Sequence, residues 1–160
     1  MSTRCQVQII EKSQETHNMI TLYHHSDGYP EYMVPVIYKA YIYEDHDKDE
    51  KTRAEKVARL IFYADPMGFV LEKGNALRGD IEYLYQLYCH FDHAENREIW
   101  EIDILKKDRD LSFRNRAFRL IKKGDEIGLK NYLDDENNIP TTLICQGQKI
   151  ESLFEKYGAK

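Results

Sequence analysis

Cysteine is scarce in this chain: Cys5, Cys89 and Cys145 are the three among 160 residues. They are far apart, odd in number and without a Cys-x-x-Cys pair, which argues against a secreted disulfide scaffold and a zinc ribbon. Long apolar runs are missing as well. Nowhere do 18 consecutive apolar residues occur, and the opening Met-Ser-Thr-Arg-Cys-Gln has no apolar stretch of signal-peptide length. The expectation is no membrane insertion and a reducing cytoplasm. Catalytic signatures are absent too: there is no phosphate loop, no Gly-x-Gly-x-x-Gly, no Gly-x-Ser-x-Gly and no His-Glu-x-x-His. Asp45, Asp47 and Asp49 imitate the start of a calcium loop, but Glu50 stands where glycine is required and Lys56 where the closing glutamate belongs. No internal repeat or low-complexity tract is present.

What is there suffices for one core. A chain of this length buries roughly 70% of its unfolded surface, so residues 1–160 are expected to form a single domain without staples. The formal charge is −5, yet Lys106 to Lys123 holds eight Lys or Arg against Asp108 and Asp110. That window carries +6, leaving −11 for the remainder. Tyrosine is abundant at 12 residues and suits half-buried strands and binding surfaces alike.

Periodicity supplies the elements. Cys5, Val7 and Ile9 alternate with Gln6 and Gln8, and Met19 to His25 repeats the period of two, so a half-buried hairpin with a polar loop at Lys12 to Asn18 is expected. Ser26-Asp27-Gly28 ends the second strand, and Pro30 forbids its continuation. A helix is expected from Pro35 to about Tyr43, because a start at Pro30 would place Pro35 in the interior at about 3 kcal/mol. The acidic run 44–50 reads as a solvated linker between helices. Thr52-Arg53-Ala54-Glu55 has capping-box spacing for a helix with Val57, Leu60, Ile61 and Ala64 inward, ended by Asp65-Pro66. Residues 67–79 read as a loop or short helix. Ile81 to Cys89 and Trp100 to Ile104 alternate as a second hairpin around the turn Phe91 to Asn96.

Ser112 opens a basic helix with Phe113, Ala117, Leu120 and Ile121 on one face and Arg116, Arg119 and Lys123 on the other; Lys122-Lys123-Gly124 stops it. Residues 106–140 thus read as a helical insertion or extension. A short amphipathic helix at 149–157 turns Ile150, Leu153, Phe154 and Tyr157 inward. The expected fold class is α+β: an antiparallel sheet of about four strands in two hairpins, with helices packed over one face.

Three constellations could carry chemistry. His24, His25 and Asp27 combine imidazole and carboxylate, but adjacent strand residues face opposite ways, so the two histidines cannot share an ion; a turn-shaping Asp27 and a core His24 explain the same residues. His90-Phe91-Asp92-His93 is a second polar cluster, again without ligand spacing. The basic helix, with Arg114, Arg116, Arg119, Lys122 and Lys123 around Phe118, suits phosphate and base contact, although a solvated, salt-bridged face accounts for it equally.

Ser2-Thr3-Arg4-Cys5, Leu22-Tyr23 leading into His25-Ser26-Asp27-Gly28-Tyr29-Pro30-Glu31, and Gly79-Asp80-Ile81-Glu82-Tyr83-Leu84-Tyr85 resemble a group of small phage and prokaryotic proteins without an established activity. The resemblance covers residues 2–31 and 79–85. This chain departs from it in carrying His24 where a basic or variable residue is expected, which places any shared role on His25. The resemblance implies a phage-type accessory or anti-defence factor that sequesters a host protein or a small anionic, nucleotide-like ligand. The expected function is therefore binding rather than catalysis, with no cofactor, no metal and no catalytic residue. The expected contact residues are Tyr23, His25, Asp27, Tyr29, Arg114, Arg116 and Arg119. Two alternatives remain: a small phosphoester hydrolase or nuclease with His25 as base and Asp27 or Asp92 as its orienter or metal holder, and nucleic-acid binding through helix 112–123. Self-association into a homo-oligomer stays open.

Overall fold

The computed structural model describes residues 3–11, 19–43, 54–72, 78, 81–107, 111–134 and 141–158. The linker 44–50, the loop 12–18, Thr52 and Arg53 of the expected capping box, and residues 135–140 lie outside the described residues. In chain order the elements are β1 (Cys5–Glu11), β2 (Met19–His24), α1 (Pro30–Ile42), α2 (Ala54–Ala64), β3 (Phe69–Leu71), β4 (Tyr83–Asp92), β5 (Arg97–Lys107), α3 (Leu111–Lys123), α4 (Glu126–Asp134), β6 (Thr141–Lys149) and α5 (Ile150–Tyr157).

The α+β class holds, but the sheet is larger and mixed, with strand order β3-β2-β1-β4-β5-β6. Both expected hairpins form. They join through their first strands, β1 and β4, which run parallel with Val7 opposite Tyr85 and Ile9 opposite Leu87. This corrects the all-antiparallel sheet of about four strands. The added strands sit at the edges, where pairing on one side is enough: β3 is three residues long beside β2, and β6 pairs with β5 through a bulged register. Short or uncharged stretches of this kind carry too little alternation to be read as strands.

Register also explains the core. Cys5, Val7 and Ile9, with Leu22, Tyr85, Leu87, Trp100, Ile102 and Ile104, form one continuous buried face under α1, α2 and α5. The alternate residues of β1 are not the solvated face that was expected, since Gln6 is 0% and Gln8 5% exposed. A central strand is covered on both sides; here Tyr23, Ile81 and Leu84 form a second apolar cluster, and Gln6 Oε1 accepts the Arg78 backbone N–H at 3.0 Å. Gln86 Nε2, half-buried on β4, donates to the buried Gln8 Oε1 at 3.2 Å, so that amide oxygen is satisfied.

Helix α1 begins at Pro30, not Pro35. Pro30 fits the first helical turn, where its missing N–H is no loss. Pro35 does remove the bond to the Glu31 carbonyl, but Glu31 is exposed, where water can serve that oxygen. Against that local penalty stands a face of Pro30, Met33, Val34, Ile37, Ala40 and Tyr41, all buried. Tyr38 stacks on Phe154 of α5 with centroids 4.0 Å apart. At the start of α2, Glu11 Oε1 accepts the Ala54 N–H at 2.5 Å, so a side chain from β1 supplies the terminal acceptor for this helix.

Candidate functional site

Three surroundings bear on function: the turn after β2, the histidine at its root, and the basic helix pair. The turn is held from below. Gly28 N–H donates to the Thr3 carbonyl at 2.8 Å, and the Gly28 carbonyl accepts the Tyr85 hydroxyl at 2.6 Å. Any side chain at position 28 would bring its Cβ to 2.8 Å from Cys5 Cβ and 3.0 Å from the Arg4–Cys5 backbone, so glycine is demanded by close approach. Asp27 has φ 54°, a left-handed conformation that Asp tolerates better than most residues. The result presents His25, Asp27 and Tyr29 outward, all exposed, with the Tyr29 hydroxyl on Asp27 Oδ1 at 3.3 Å. Asp27 raises the Tyr29 hydroxyl above its ordinary value, which keeps it a donor. Tyr85→Phe should leave the Gly28 carbonyl short of its donor and destabilise the fold by about 1–2 kcal/mol, read by chemical denaturation; an unchanged midpoint would show that the turn does not depend on this anchor.

Tyr23 is placed otherwise than the other turn residues: it is 5% exposed on the second apolar cluster, with the Arg78 guanidinium 3.9 Å above its ring.

His24 points into the helix-covered face. Its Nε2 lies 2.8 Å from Asp65 Oδ2, and its Nδ1 contacts the Ser26 carbonyl. The Tyr32 hydroxyl donates to the same Asp65 oxygen at 3.0 Å, and Phe69 meets the imidazole edge-on at 4.7 Å. Burial, reinforced by Asp65, pushes the Tyr32 hydroxyl up to about 12. This network joins β2, α1 and the end of α2. Sequence spacing separates His24 from Asp65 by 41 residues and reads Asp65 as a helix stop, so nothing local could pair them.

The second histidine cluster stays away. Register aligns His24 with Cys5 and Cys5 with Tyr83, so His90 lies seven residues further along β4, about 23 Å off at the usual strand rise. Asp92 Oδ1 accepts Ala94 N–H at 2.9 Å and Glu95 N–H at 3.4 Å, which shapes the β4–β5 turn. His25 and Asp92 are therefore not brought together, and the Asp27 carboxylate is engaged by Tyr29. Among the described residues no group of three or more His, Cys, Asp or Glu is arranged to hold a metal ion. Burial raises the Cys5 thiol far above its ordinary value, which removes it as a nucleophile.

The basic helix forms part of a hairpin. Gly124, at φ 70°, ends α3, and Asp125 Oδ1 accepts the Gly128 N–H at 2.9 Å to open α4. So short a connection folds α4 back along α3, and the two pack chiefly on each other. Between them lies an open groove of about 310 Å³ lined by Arg116, Arg119, Leu120, Lys123 and Tyr132. Among the described residues no carboxylate pairs with Arg116, Arg119 or Lys123, whereas Arg97 is held by Glu95 and Glu151 at 2.8 and 3.0 Å and Arg78 by Glu72. The acidic linker 44–50, the partner that a salt-bridged reading of this face would use, lies outside the described residues. Lys122 instead lies 5.5 Å from the Phe118 ring centroid on the outer side. The side chain of Arg114 lies outside the described residues. The i, i+3, i+7 spacing of 116, 119 and 123 already places these three on one side. Leu120, expected on the opposite face, lines the same groove because it lies four residues after Arg116, and Tyr132 enters only because α4 folds back.

Lys106 pairs with both Tyr83 and Thr142, so the turn after β2 and the root of this hairpin leave the sheet at the same end. No helix among the described residues is long and apolar enough to cross a membrane. Comparison of the chain with protein-family models, with curated proteins and with solved structures finds no match.

Proposed function

We propose that this is a binding protein whose ligand is a phosphate-bearing anion, held between α3 and α4 by Arg116, Arg119 and Lys123. The carrying observation is that three cations line one groove and none of them has a carboxylate partner among the described residues. Unneutralised guanidinium and ammonium groups beside an aromatic ring suit phosphate and an attached base. The anchored turn of His25, Asp27 and Tyr29, at the same end of the sheet, offers a second contact surface for a larger partner. Sequestration of a nucleotide-like ligand or a host protein, as in a phage-type accessory or anti-defence factor, fits this pair of surfaces. Hydrolysis finds less support, because among the described residues no carboxylate hydrogen-bonds His25.

Titration calorimetry with pyrophosphate, nucleoside phosphates and short oligonucleotides tests the reading. At least one should bind and be recovered unchanged, and Arg116→Glu with Arg119→Glu should weaken it about a hundredfold, at about tenfold per lost charge-assisted contact. Affinity indifferent to this double reversal, or turnover of the ligand, would sink it.

A further inference from the structure

The spacing of the cations says more about the ligand than their number does. Residues 116, 119 and 123 span seven positions of α3, a rise of about 10 Å. The charges are therefore strung along a line instead of converging on a point. A free nucleotide concentrates its charge in one compact polyphosphate, and compact phosphates are usually cradled by backbone N–H groups of a glycine-rich loop at a helix N-terminus. Here the chain entering α3 reads Lys107-Asp108-Arg109-Asp110, with no glycine and two carboxylates.

The groove that accompanies the line is open, not closed, and is lined by Leu120 and Tyr132 beside the cations. A positive track flanked by an aromatic ring is what a polynucleotide backbone with stacked bases requires. From Leu111 to Lys123 the sequence contains Arg114, Arg116, Arg119, Lys122 and Lys123 and no Asp or Glu. The rest of the chain outside the basic window carries −11, so a polyanion is repelled elsewhere and confined to this hairpin.

We infer that the α3–α4 groove tracks a single-stranded nucleic acid, with Arg116, Arg119 and Lys123 on successive backbone phosphates and a base against Tyr132. This rests on the reading of the groove as a phosphate site and narrows it to one ligand class. RNA and DNA strands share the chemistry invoked, and the experiment separates them.

Fluorescence anisotropy with labelled twelve-nucleotide uridine and thymidine strands provides the test, with the full chain and a salt series. Binding of either strand should fall with a log–log salt slope of about −2, from three neutralised phosphates at about −0.7 each. Arg116→Glu with Arg119→Glu should flatten that slope, and Tyr132→Ala should weaken binding about tenfold while Tyr132→Phe retains it. Circular dichroism confirms that the variants are folded. A uridine preference assigns RNA, a thymidine preference DNA, and equal binding a site indifferent to the 2′-hydroxyl. The inference is overturned if a nucleoside triphosphate binds as tightly as the strand, or a duplex does, or Tyr132→Ala keeps full affinity; the broader phosphate reading then survives on the triphosphate or duplex. Failure of every phosphate compound, pyrophosphate included, removes both.

Discussion

His24→Ala is expected to destabilise the fold by about 3 kcal/mol, the upper scale for losing a buried side chain that hydrogen-bonds a carboxylate. The imidazole is 2% exposed, and both of its nitrogens face acceptor oxygens, one from Asp65 and one from Ser26. Its removal leaves the Asp65 carboxylate with the Tyr32 hydroxyl as its partner among the described residues, and it deletes the edge-on contact with Phe69. Three elements are loosened at once: the end of β2, the first turn of α1 and the end of α2. For a chain of this length the melting temperature should drop by roughly 6–12 °C. His25→Ala serves as the control, since its ring is exposed, and it should melt within about 0.5 kcal/mol of the parent. Equal melting of the two variants would mean that the network contributes nothing to stability.

The second large effect falls on Trp100. Its side chain, on β5, is fully buried and meets Tyr41 edge-on at 5.2 Å. Trp100→Ala removes the largest side chain of the core and should destabilise the fold by about 4 kcal/mol, chiefly through the cavity left behind. Trp100→Phe separates packing from polarity. The indole Nε1 is buried and finds no acceptor among the described residues, so phenylalanine loses volume but also sheds an unsatisfied N–H. Such a donor is unfavourable by about 1–3 kcal/mol, which should hold the net change of Trp100→Phe near 1 kcal/mol. Chemical denaturation of both variants gives the comparison. A Phe variant as unstable as the Ala variant would show that the N–H has a partner in solution.

Much of the helical and central-strand structure was legible, because amphipathic periods report burial directly. Gly124 stops α3 as expected, and Ile150 and Leu153 of α5 are buried with Phe154 and Tyr157 packed against the core. What escaped was decided by partners far along the chain. Pairing of β1 with β4 joins residues 78 apart, and no local pattern says whether two hairpins meet in parallel or antiparallel. The helix start at Pro30 escaped for a related reason: tertiary burial of six side chains outweighs a local proline penalty. At the candidate site, Arg116 and Arg119 were readable from helical spacing, while Tyr132 required the fold-back of α4. Its place beside the turn makes Tyr23 read as a contact residue, yet a strand with both faces covered buries it.

Lys107 and Thr141 stand directly opposite each other in the β5–β6 ladder, with Lys107 Nζ donating to Thr141 Oγ1 at 3.1 Å. Everything between them leaves and re-enters the sheet at neighbouring points. Loop-closure entropy rises only slowly with length, so a strand pair of this geometry tolerates a long detour almost as readily as a tight turn. The sheet and its three core helices can thus vary under one selective pressure and the cationic hairpin under another. Residues 108–140 can be exchanged while the scaffold that carries them stays the same.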